Sequence, residues 1–365
     1  MNTLLSLWNN IQQQLFPWLE EEFDPLTNKQ REFIQIVTLL DLPRHMKGYQ
    51  WLGLGRKKKD RLSIAKAFVA KAVYNFETTD ILIEHLRGCK NIRRLCGWET
   101  IWQIPSRSTF SRAFSEFSAK GLMQKVHEAM IKKYCRCKLA GHISRDATAI
   151  EAREKPVKKK AGPSPKQPKR KRGRPRKGEI VPPKPKKRLE LQPARKLEEN
   201  LQDLPTLCNV GTKKNSKGYK VSWIGYKLHL DCIDGDIPIS AILTSASLHD
   251  SQAAIPLAQM SSQRVSSLYD LMDSAYDAPQ IHSFSEDLGH KPIIEHNPRG
   301  GDKKSMDPAT KARFGERSSA ERVNSTLKDN YGGRNVRVKG ACKVMTHLMF
   351  GIVAITAMQI FRLLL

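Results

Sequence analysis

The stretch "KVSWIGYKLHLDCIDGDIPISAILTS", residues 220–245, contains two runs of alternating apolar and polar residues on either side of Asp234-Gly235. Alternation with a period of two is typical of a strand with one buried face, and Asp-Gly between two such runs indicates a tight turn. The stretch therefore predicts a β-hairpin. The elements before and after it decide the kind of sheet to which the hairpin belongs.

Helical and strand patterns alternate after this hairpin, and a further strand pattern precedes it. The predicted elements are a strand in 141–152, a helix in 247–260, a short buried strand in 266–275, a helix in 278–289, a strand in 291–298 and a single helix in 313–330. Strand, insertion, strand, strand, helix, strand, helix, strand, helix is the order of a ribonuclease H-like fold. We therefore predict an α/β fold, with a mixed five-stranded sheet and flanking helices.

The insertion is a low-complexity segment, residues 155–188, with 16 Lys or Arg, one acidic residue and 8 Pro. Such a composition cannot bury a core, so we expect the insertion to be disordered and solvated. Within it, "RGRPRK" (172–177) resembles the AT-hook, which lies in the narrow minor groove of A·T-rich DNA. That resemblance implies DNA contacts by Arg172, Arg174, Arg176 and Lys177. The alternative is a generic polybasic linker.

Residues 1–138 carry helical patterns, such as the apolar residues at spacings of three and four in 60–89. They predict an all-α N-terminal domain. One predicted helix starts after Ser106 and has two faces, a buried one with Phe110, Phe114 and Phe117 and an exposed one with Arg107, Arg112 and Lys120. It is either part of a helix-turn-helix that contacts DNA or a core helix.

The predicted domain organisation has five parts. They are a helical and DNA-binding N-terminal domain (1–138), the first strand of the core (139–154), the basic insertion (155–200), the remainder of the core (201–340) and a C-terminal apolar helix packed on the core (341–365). The last segment is long and apolar enough to span a bilayer, which is the alternative. Thr346, His347, Gln359 and Arg362 interrupt it and favour packing against a sheet.

The composition indicates a polyanionic partner. The chain has 365 residues, 63 Lys or Arg and 36 Asp or Glu, and a net charge of +27, which suits nucleic acid or an anionic membrane surface. Seven Cys follow no paired zinc spacing, and their odd number argues against a disulfide framework. The first residues lack a basic start and a cleavage site, so we expect a cytoplasmic protein.

Three acidic residues stand where the predicted fold would bring them together. Asp146 lies in the first strand, Asp273 ends the strand that should lie beside it, and Glu321 is on the late helix. Converging carboxylates repel one another unless hard cations lie between them, and oxygen ligands favour Mg²⁺ or Mn²⁺. Two such ions can stabilise the attacking and leaving oxygens of a phosphoryl transfer. Arg317 and Lys328 share the helical face of Glu321.

These residues carry a resemblance to the DDE transposases of bacterial insertion sequences. "SRDAT" (144–148), "LMDSAYDA" (271–278) and "FGERSSAERVNSTLK" (314–328) are similar to the three blocks of that family. The spacing Tyr-x2-Arg-x3-Glu-x6-Lys is matched, with Phe in place of Tyr, by Phe314, Arg317, Glu321 and Lys328. The resemblance covers residues 140–365.

The resemblance implies an enzyme that binds its element's terminal inverted repeats, cleaves phosphodiester bonds there and joins the 3′-hydroxyl to target DNA. Asp146, Asp273 and Glu321 would be catalytic and hold Mg²⁺ or Mn²⁺, with two ions expected, and Phe314, Arg317 and Lys328 would contact DNA. A homodimer in the synaptic complex and a nucleoid-associated location are expected. The alternative is a catalytically inactive, transposase-derived DNA-binding protein.

One departure from part of the family concerns mechanism. Some relatives carry a large β-rich insertion between the second Asp and the Glu, and use a hairpin intermediate. Here 48 positions separate Asp273 from Glu321. That is too short for such a domain, so a hairpin route is not implied.

Overall fold

The described residues before position 137 fold into eight α-helices, as the sequence predicts. These are α1 (Asn2–Asn10), α2 (Phe16–Glu22), α3 (Asn28–Leu40), α4 (Arg61–Val73), α5 (Thr79–Gly88), α6 (Lys90–Cys96), α7 (Arg107–Lys120) and α8 (Leu122–Tyr134). In α7, Phe110, Phe114 and Phe117 are buried, whereas Arg107 is exposed. The computed structural model describes residues 2–22, 25–51, 53, 55–136, 139–157, 186–214, 217–299, 301–302 and 304–363.

The described residues form one mixed sheet of six strands. The strands are β1 (Leu139–Glu151), β2 (Asn209–Lys214), β3 (Lys220–Ile233), β4 (Ile237–Ser245), β5 (Ser266–Met272) and β6 (Lys291–Ile294). The order is β2-β3-β1-β5-β6, and β4 also pairs with β3. Strands β1, β5 and β6 run parallel, whereas β3 is antiparallel to β1, β2 and β4. This is the predicted ribonuclease H-like arrangement with one added strand, the short β2.

The β3–β4 hairpin forms as predicted around Asp234-Gly235. Gly235 and Asp236 both have positive φ, 80° and 57°. A tight turn of this kind favours Gly and Asp at such positions. Asp234 Oδ2 also accepts a hydrogen bond from the backbone N–H of Gly141 (2.6 Å), which connects the hairpin to the beginning of β1.

Helices cover both faces of the sheet. The remaining helices are α9 (Arg188–Leu191), α10 (Leu197–Asp203), α11 (Ser251–Ser262), α12 (Pro279–Asp287), α13 (Pro308–Phe314), α14 (Ser318–Asn330) and α15 (Ala341–Arg362). Helix α11 packs on β3 and β4 from one side, and α14 packs on β1 and β3 from the other. Helix α15 lies against β4 and also against α3, α4, α7, α8 and α14.

Helix α15 is therefore a core helix. Among the described residues it is long and apolar enough to cross a membrane, but 78% of its most apolar window is buried inside the protein. It crosses α14 closely at Gly351, where a Cβ would lie 2.6 Å from the Tyr331 carbonyl oxygen. Its residues share one continuous hydrophobic core with the N-terminal helices and one face of the sheet.

Two predicted segments differ from the structure. The single helix expected in 313–330 is two helices, because a 3-10 turn at Gly315–Arg317 separates α13 from α14. The basic insertion was expected to extend to residue 200, but α9 and α10 fold against α11. Asn200 holds them there, because its Nδ2 donates to the Gln192 carbonyl and to Gln259 Oε1, at 3.0 Å each.

Candidate active site

Strand pairing brings Asp146 and Asp273 side by side. Strands β1 and β5 are parallel neighbours, and Ser144 of β1 pairs with Leu271 of β5. Two residues further along each strand come Asp146 and Asp273. Since alternate residues of a strand point to the same face, the two carboxyl groups lie together on one face of the sheet, Asp146 within β1 and Asp273 directly after the end of β5. Both side chains are half-buried.

Asp146 lies in an environment that disfavours its charge. Its pKa is raised to about 6, first by burial and also by the negative charge of Asp273. The backbone N–H of Ala147, the amide of Asn324 and the charge of Arg317 act in the opposite direction. Asn324 is buried on α14, and its Nδ2 donates to Asp146 Oδ2 at 2.9 Å. The amide therefore fixes one carboxylate oxygen and leaves the carboxyl group facing its acidic neighbour.

The pKa of Asp273 is also raised, again because of burial first. The charges of Asp250 and Glu295 add to the effect, and Arg317 opposes it. Asp273 begins a 3-10 turn, and its Oδ1 accepts from the Ala275 N–H at 2.9 Å. The turn thus determines where the carboxyl group lies at the end of β5.

Glu321 is held apart from the two aspartates by an ion pair. Arg317 Nη2 lies 2.6 Å from Glu321 Oε1, and 51% of the Glu321 side chain is exposed. The Arg317 guanidinium also lies over the Phe314 ring, 5.5 Å from its centre. Ser144 Oγ donates to the Glu316 carbonyl at 2.9 Å and so fastens the 3-10 turn to β1. Arg317 is consequently placed where its charge acts on all three acidic residues.

Lys328 lies on α14, seven residues after Glu321. Its pKa is lowered by burial first and then by the charges of Lys213 and Arg334, while Asp146 and Glu151 raise it. Lys328 thus lies close to two other cations, and close enough to Asp146 for that charge to affect its pKa. Such a cluster is unfavourable in the free protein and favourable beside the phosphates of DNA.

A buried ion pair lies on the opposite face of β1. Arg145 is bidentate to Asp231 of β3, with both N–O distances 2.8 Å, and each side chain is at most 2% exposed. Ser261 of α11 donates to the same carboxylate at 2.6 Å, and Arg145 Nη1 also lies 3.3 Å from the Met272 sulfur. The pair therefore links the residues that directly precede Asp146 and Asp273.

The donor set suits a divalent cation. Asp146 and Asp273 are two neighbouring carboxyl groups whose burial disfavours ionisation, and a hard cation between carboxylates relieves that situation. Within the described residues, no group of three or more His, Cys, Asp or Glu is arranged to hold a metal ion. Glu321 as a third ligand stays a prediction, since it contacts Arg317 here.

Other acidic residues near the sheet have partners of their own. Asp234 contacts His142, Asp236 contacts Arg322, and Asp250 contacts Lys227. The predicted DNA contacts of Arg172, Arg174, Arg176 and Lys177 lie outside the described residues. The six described cysteines are all free.

Sequence reasoning missed Asn324 and the Arg145–Asp231 pair. Helical spacing places Asn324 one turn after Glu321, which is a signal that it shares the face of the carboxylate. Alternation along β1 likewise places Arg145 on the face opposite Asp146. Neither pattern predicts which residue of another element each of these side chains contacts.

Two family models match the chain. The family model described as "Transposase DDE domain" matches residues 140–357, more than half of the chain. A second model, "Transposase domain (DUF772)", matches residues 19–116. A search of curated proteins finds no match. The first match includes Asp146, Asp273 and Glu321 and covers the whole sheet, and on this basis the chain belongs to the DDE transposase family.

Proposed function

We propose that this transposase binds the terminal inverted repeats of its own element, hydrolyses a phosphodiester bond at each end and joins the freed 3′-hydroxyl to target DNA. The observation that carries the proposal is the pair of half-buried carboxyl groups, Asp146 and Asp273, with Arg317 and Asn324 beside them. A protein that only bound DNA would gain nothing from burying two carboxyl groups together. We therefore do not favour an inactive DNA-binding protein.

Asp146, Asp273 and Glu321 would hold Mg²⁺ or Mn²⁺, two ions in our proposal, because carboxylate oxygens are the ligands of hard cations. When bound, these ions supply electrostatic stabilisation of the charge that develops on the transferring phosphate. Asn324 would keep one Asp146 oxygen in a fixed position throughout. Burial of both aspartates excludes much of the competing water.

Arg317 and Lys328 would position the DNA. A guanidinium binds phosphate oxygens well, and Arg317 already lies beside all three acidic residues. A phosphate next to the scissile bond would compete with Glu321 for Arg317, and so release the Glu321 carboxylate toward the aspartates. Lys328, with Lys213 and Arg334 close by, would bind a neighbouring phosphate. Two copies would act together, one at each element end, beside nucleoid DNA in the cytoplasm.

The substitutions Asp273→Asn and Glu321→Gln test the proposal. Each removes a ligand charge and keeps the shape of the side chain, so end cleavage should fall by orders of magnitude while DNA binding is retained. Mn²⁺ binding, followed by electron paramagnetic resonance without DNA, should weaken in Asp273→Asn. Glu198→Gln, an exposed residue of α10, is the matched control and should change neither quantity. Wild-type cleavage rates in both site variants would refute the assignment.

A further inference from the structure

Strands β2 and β3 continue beyond the sheet as a two-stranded ribbon. The last pair between β1 and β3 is Glu151 with Gly225, and β4 pairs with β3 only from Tyr226 onward. Within the described residues, Lys220–Trp223 pair with β2 alone, whereas the Ile224 carbonyl also accepts from the Ala152 N–H at 3.0 Å. We call the segments Asn209–Lys214 and Lys220–Gly225 the ribbon.

One face of the ribbon is exposed to solvent. Its cross-strand pairs are Val210 with Ile224, Thr212 with Ser222, and Lys214 with Lys220, and all six side chains are exposed. One aliphatic pair, two hydroxyl groups and two amines are groups of the kinds that contact base edges and phosphates in a DNA groove. The B-DNA major groove, about 12 Å wide, admits a two-stranded ribbon.

The positive charge of the ribbon favours a polyanionic partner. Residues 209–225 contain four Lys and no acidic residue. Lys214 and Lys220 lie directly opposite each other, and like charges at such positions destabilise a strand pair. A second copy of the ribbon would add the same charges, so self-association through this face is disfavoured. A polyanion compensates the repulsion.

The opposite face of the ribbon is rigid. The Trp223 ring lies across Gly211, where an added Cβ would come within 2.4 Å of the ring. Trp223 is 8% exposed, and its Nε1 donates to the Tyr226 carbonyl at 3.1 Å. The exposed face is thus held in one orientation relative to the sheet, which reduces the conformational entropy lost on binding.

The ribbon lies at a defined distance from the candidate active site. Asp146 pairs with Leu230 of β3, and Ser222 and Lys220 lie eight and ten residues from Leu230 on that strand. At about 3.3 Å per residue these separations are roughly 26 and 33 Å. A helical turn of B-DNA is about 34–36 Å, so the distance corresponds to roughly 8–10 base pairs.

We propose that the ribbon enters the major groove of the element end about one helical turn from the scissile phosphate, with Lys214 and Lys220 on phosphates and Thr212 and Ser222 on base edges. This inference rests on the proposed function, because it assumes that duplex DNA lies across Asp146 and Asp273. Lys227, further along β3, is not part of this surface, since it pairs with Asp250 at 2.8 Å.

The test uses the full-length chain without divalent ions, so that DNA is bound and not cut. The probes are a duplex from each flank of its gene and a random duplex of equal length. The double substitution Lys214→Ala and Lys220→Ala should remove two phosphate contacts. It should therefore flatten the slope of log affinity against log salt by about 1.8 on both kinds of duplex, since each contact contributes about 0.9. Lys196→Ala with Lys291→Ala, two exposed lysines outside the ribbon, removes the same charge and should leave the slope unchanged.

Thr212→Ala with Ser222→Ala should keep the slope, reduce the preference for the flanking duplex, and lose hydroxyl-radical protection roughly 8–10 base pairs from the cleavage position. Unfolding temperatures should not fall below that of the wild type, since all four side chains are exposed and loss of the two facing lysines removes their repulsion. Wild-type slope and protection in both ribbon variants would overturn the inference.

The proposed function can fail separately. If the wild type neither prefers nor cleaves the flanking duplexes, the proposed function is wrong, whereas the slopes on random duplex still decide the ribbon. A flattened slope in the lysine variant alone would support the ribbon as a DNA contact. Equal slopes in the ribbon and control variants would refute it.

Discussion

Arg145 and Asp146 are consecutive residues of β1 with opposite electrostatic environments. Arg145 points to the α11 face and has a bidentate carboxylate partner. Asp146 points to the α14 face, where Asn324 gives it one neutral donor and Asp273 adds a second negative charge. Strand alternation thus places a buried ion pair on one face of β1 and, on the other face, a carboxyl group whose ionisation is disfavoured. Unfavourable ionisation of this kind is typical of functional sites.

Ionised Asp146 should destabilise the free protein, and Asp146→Asn should reveal this. Burial raises the folded-state pKa from 3.8 to about 6, so the folded state binds more protons than the unfolded state between these values. Wild-type stability should therefore fall as pH rises from about 4 to about 6. Above pH 6, Asp146→Asn should be more stable than the wild type by about 1–3 kcal/mol. Urea unfolding between pH 4 and pH 8 measures the difference.

Asp277→Asn is a control, because the pKa of Asp277 is shifted in the opposite direction to that of Asp146. Burial raises the pKa of Asp277, but the Asn297 N–H and His282 more than offset this and lower it. The charged form of Asp277 stabilises the fold above its unfolded pKa, so Asp277→Asn should be less stable than the wild type at neutral pH. Equal stability of Asp146→Asn and wild type at every pH would contradict the argument for Asp146.

Candidate acidic residues could be predicted from the sequence, but the contacts that shift their pKa values could not. Asp146, Asp273 and Glu321 follow from the element order and the motif spacing. The Asn324–Asp146 hydrogen bond joins residues 178 positions apart, and only the packing of α14 on β1 creates it. The Arg317–Glu321 pair is local, four residues along one helix, and the sequence did indicate it.

At the scale of elements, the break between α13 and α14 matters for Arg317. The 3-10 turn at Gly315–Arg317 lets the chain change direction just before α14, and Ser144 fastens it to β1. Arg317 therefore lies at the start of α14, close to Asp146 of β1 and to Asp273 at the end of β5. A continuous helix over 313–330, which the apolar spacing alone predicted, would lack this attachment.

Arg317→Ala should weaken binding to the element end more than to random duplex, because the proposed role of Arg317 is to position one phosphate next to the scissile bond. Arg322→Ala is the matched control, since Arg322 lies on the same helix and pairs with Asp236 at 2.7 Å. It should affect both duplexes equally or not at all. Titrations of both variants on both duplexes measure the effect, and an equal loss for Arg317→Ala on the two would count against its role.

Elements with strong periodicity were predictable, and elements held by tertiary contacts were not. The β3–β4 hairpin has alternation and an Asp-Gly turn, so local sequence is sufficient. Helices α9 and α10 are four and seven residues long, too short to be stable alone. They depend on α11 and on the Asn200 hydrogen bonds. Strand β2 likewise depends on its pairing with β3.

At the scale of the whole molecule, α15 explains why the N-terminal helices and the sheet share a core. Its apolar residues contact β4 on one side and α3, α4, α7 and α8 on the other. A helix buried on most sides carries no polar stripe, which is why its sequence resembles a membrane span. Because α14 packs on α15 at Gly351, the helix that carries Glu321 is supported by the same core.

The largest concentration of charge in the sequence is in residues 158–185, which contain 12 Lys or Arg and one acidic residue and are not among the described residues. Each phosphate contact contributes about −0.9 to the slope of log affinity against log salt, so engagement of a third of these cations would contribute roughly −3 to −4. Replacing 158–185 by a Gly-Ser linker of equal length should flatten the slope by that amount, whereas cleavage of pre-bound ends should survive, since Asp146, Asp273 and Glu321 are untouched.

A second variant with the 12 cations retained and residues 172–177 scrambled separates the two interpretations of that segment. An AT-hook predicts loss of preference for A·T-rich over G·C-rich duplex at unchanged slope, and a polybasic linker predicts no loss. Equal slopes for the wild type and the Gly-Ser variant would show that the segment is only a spacer.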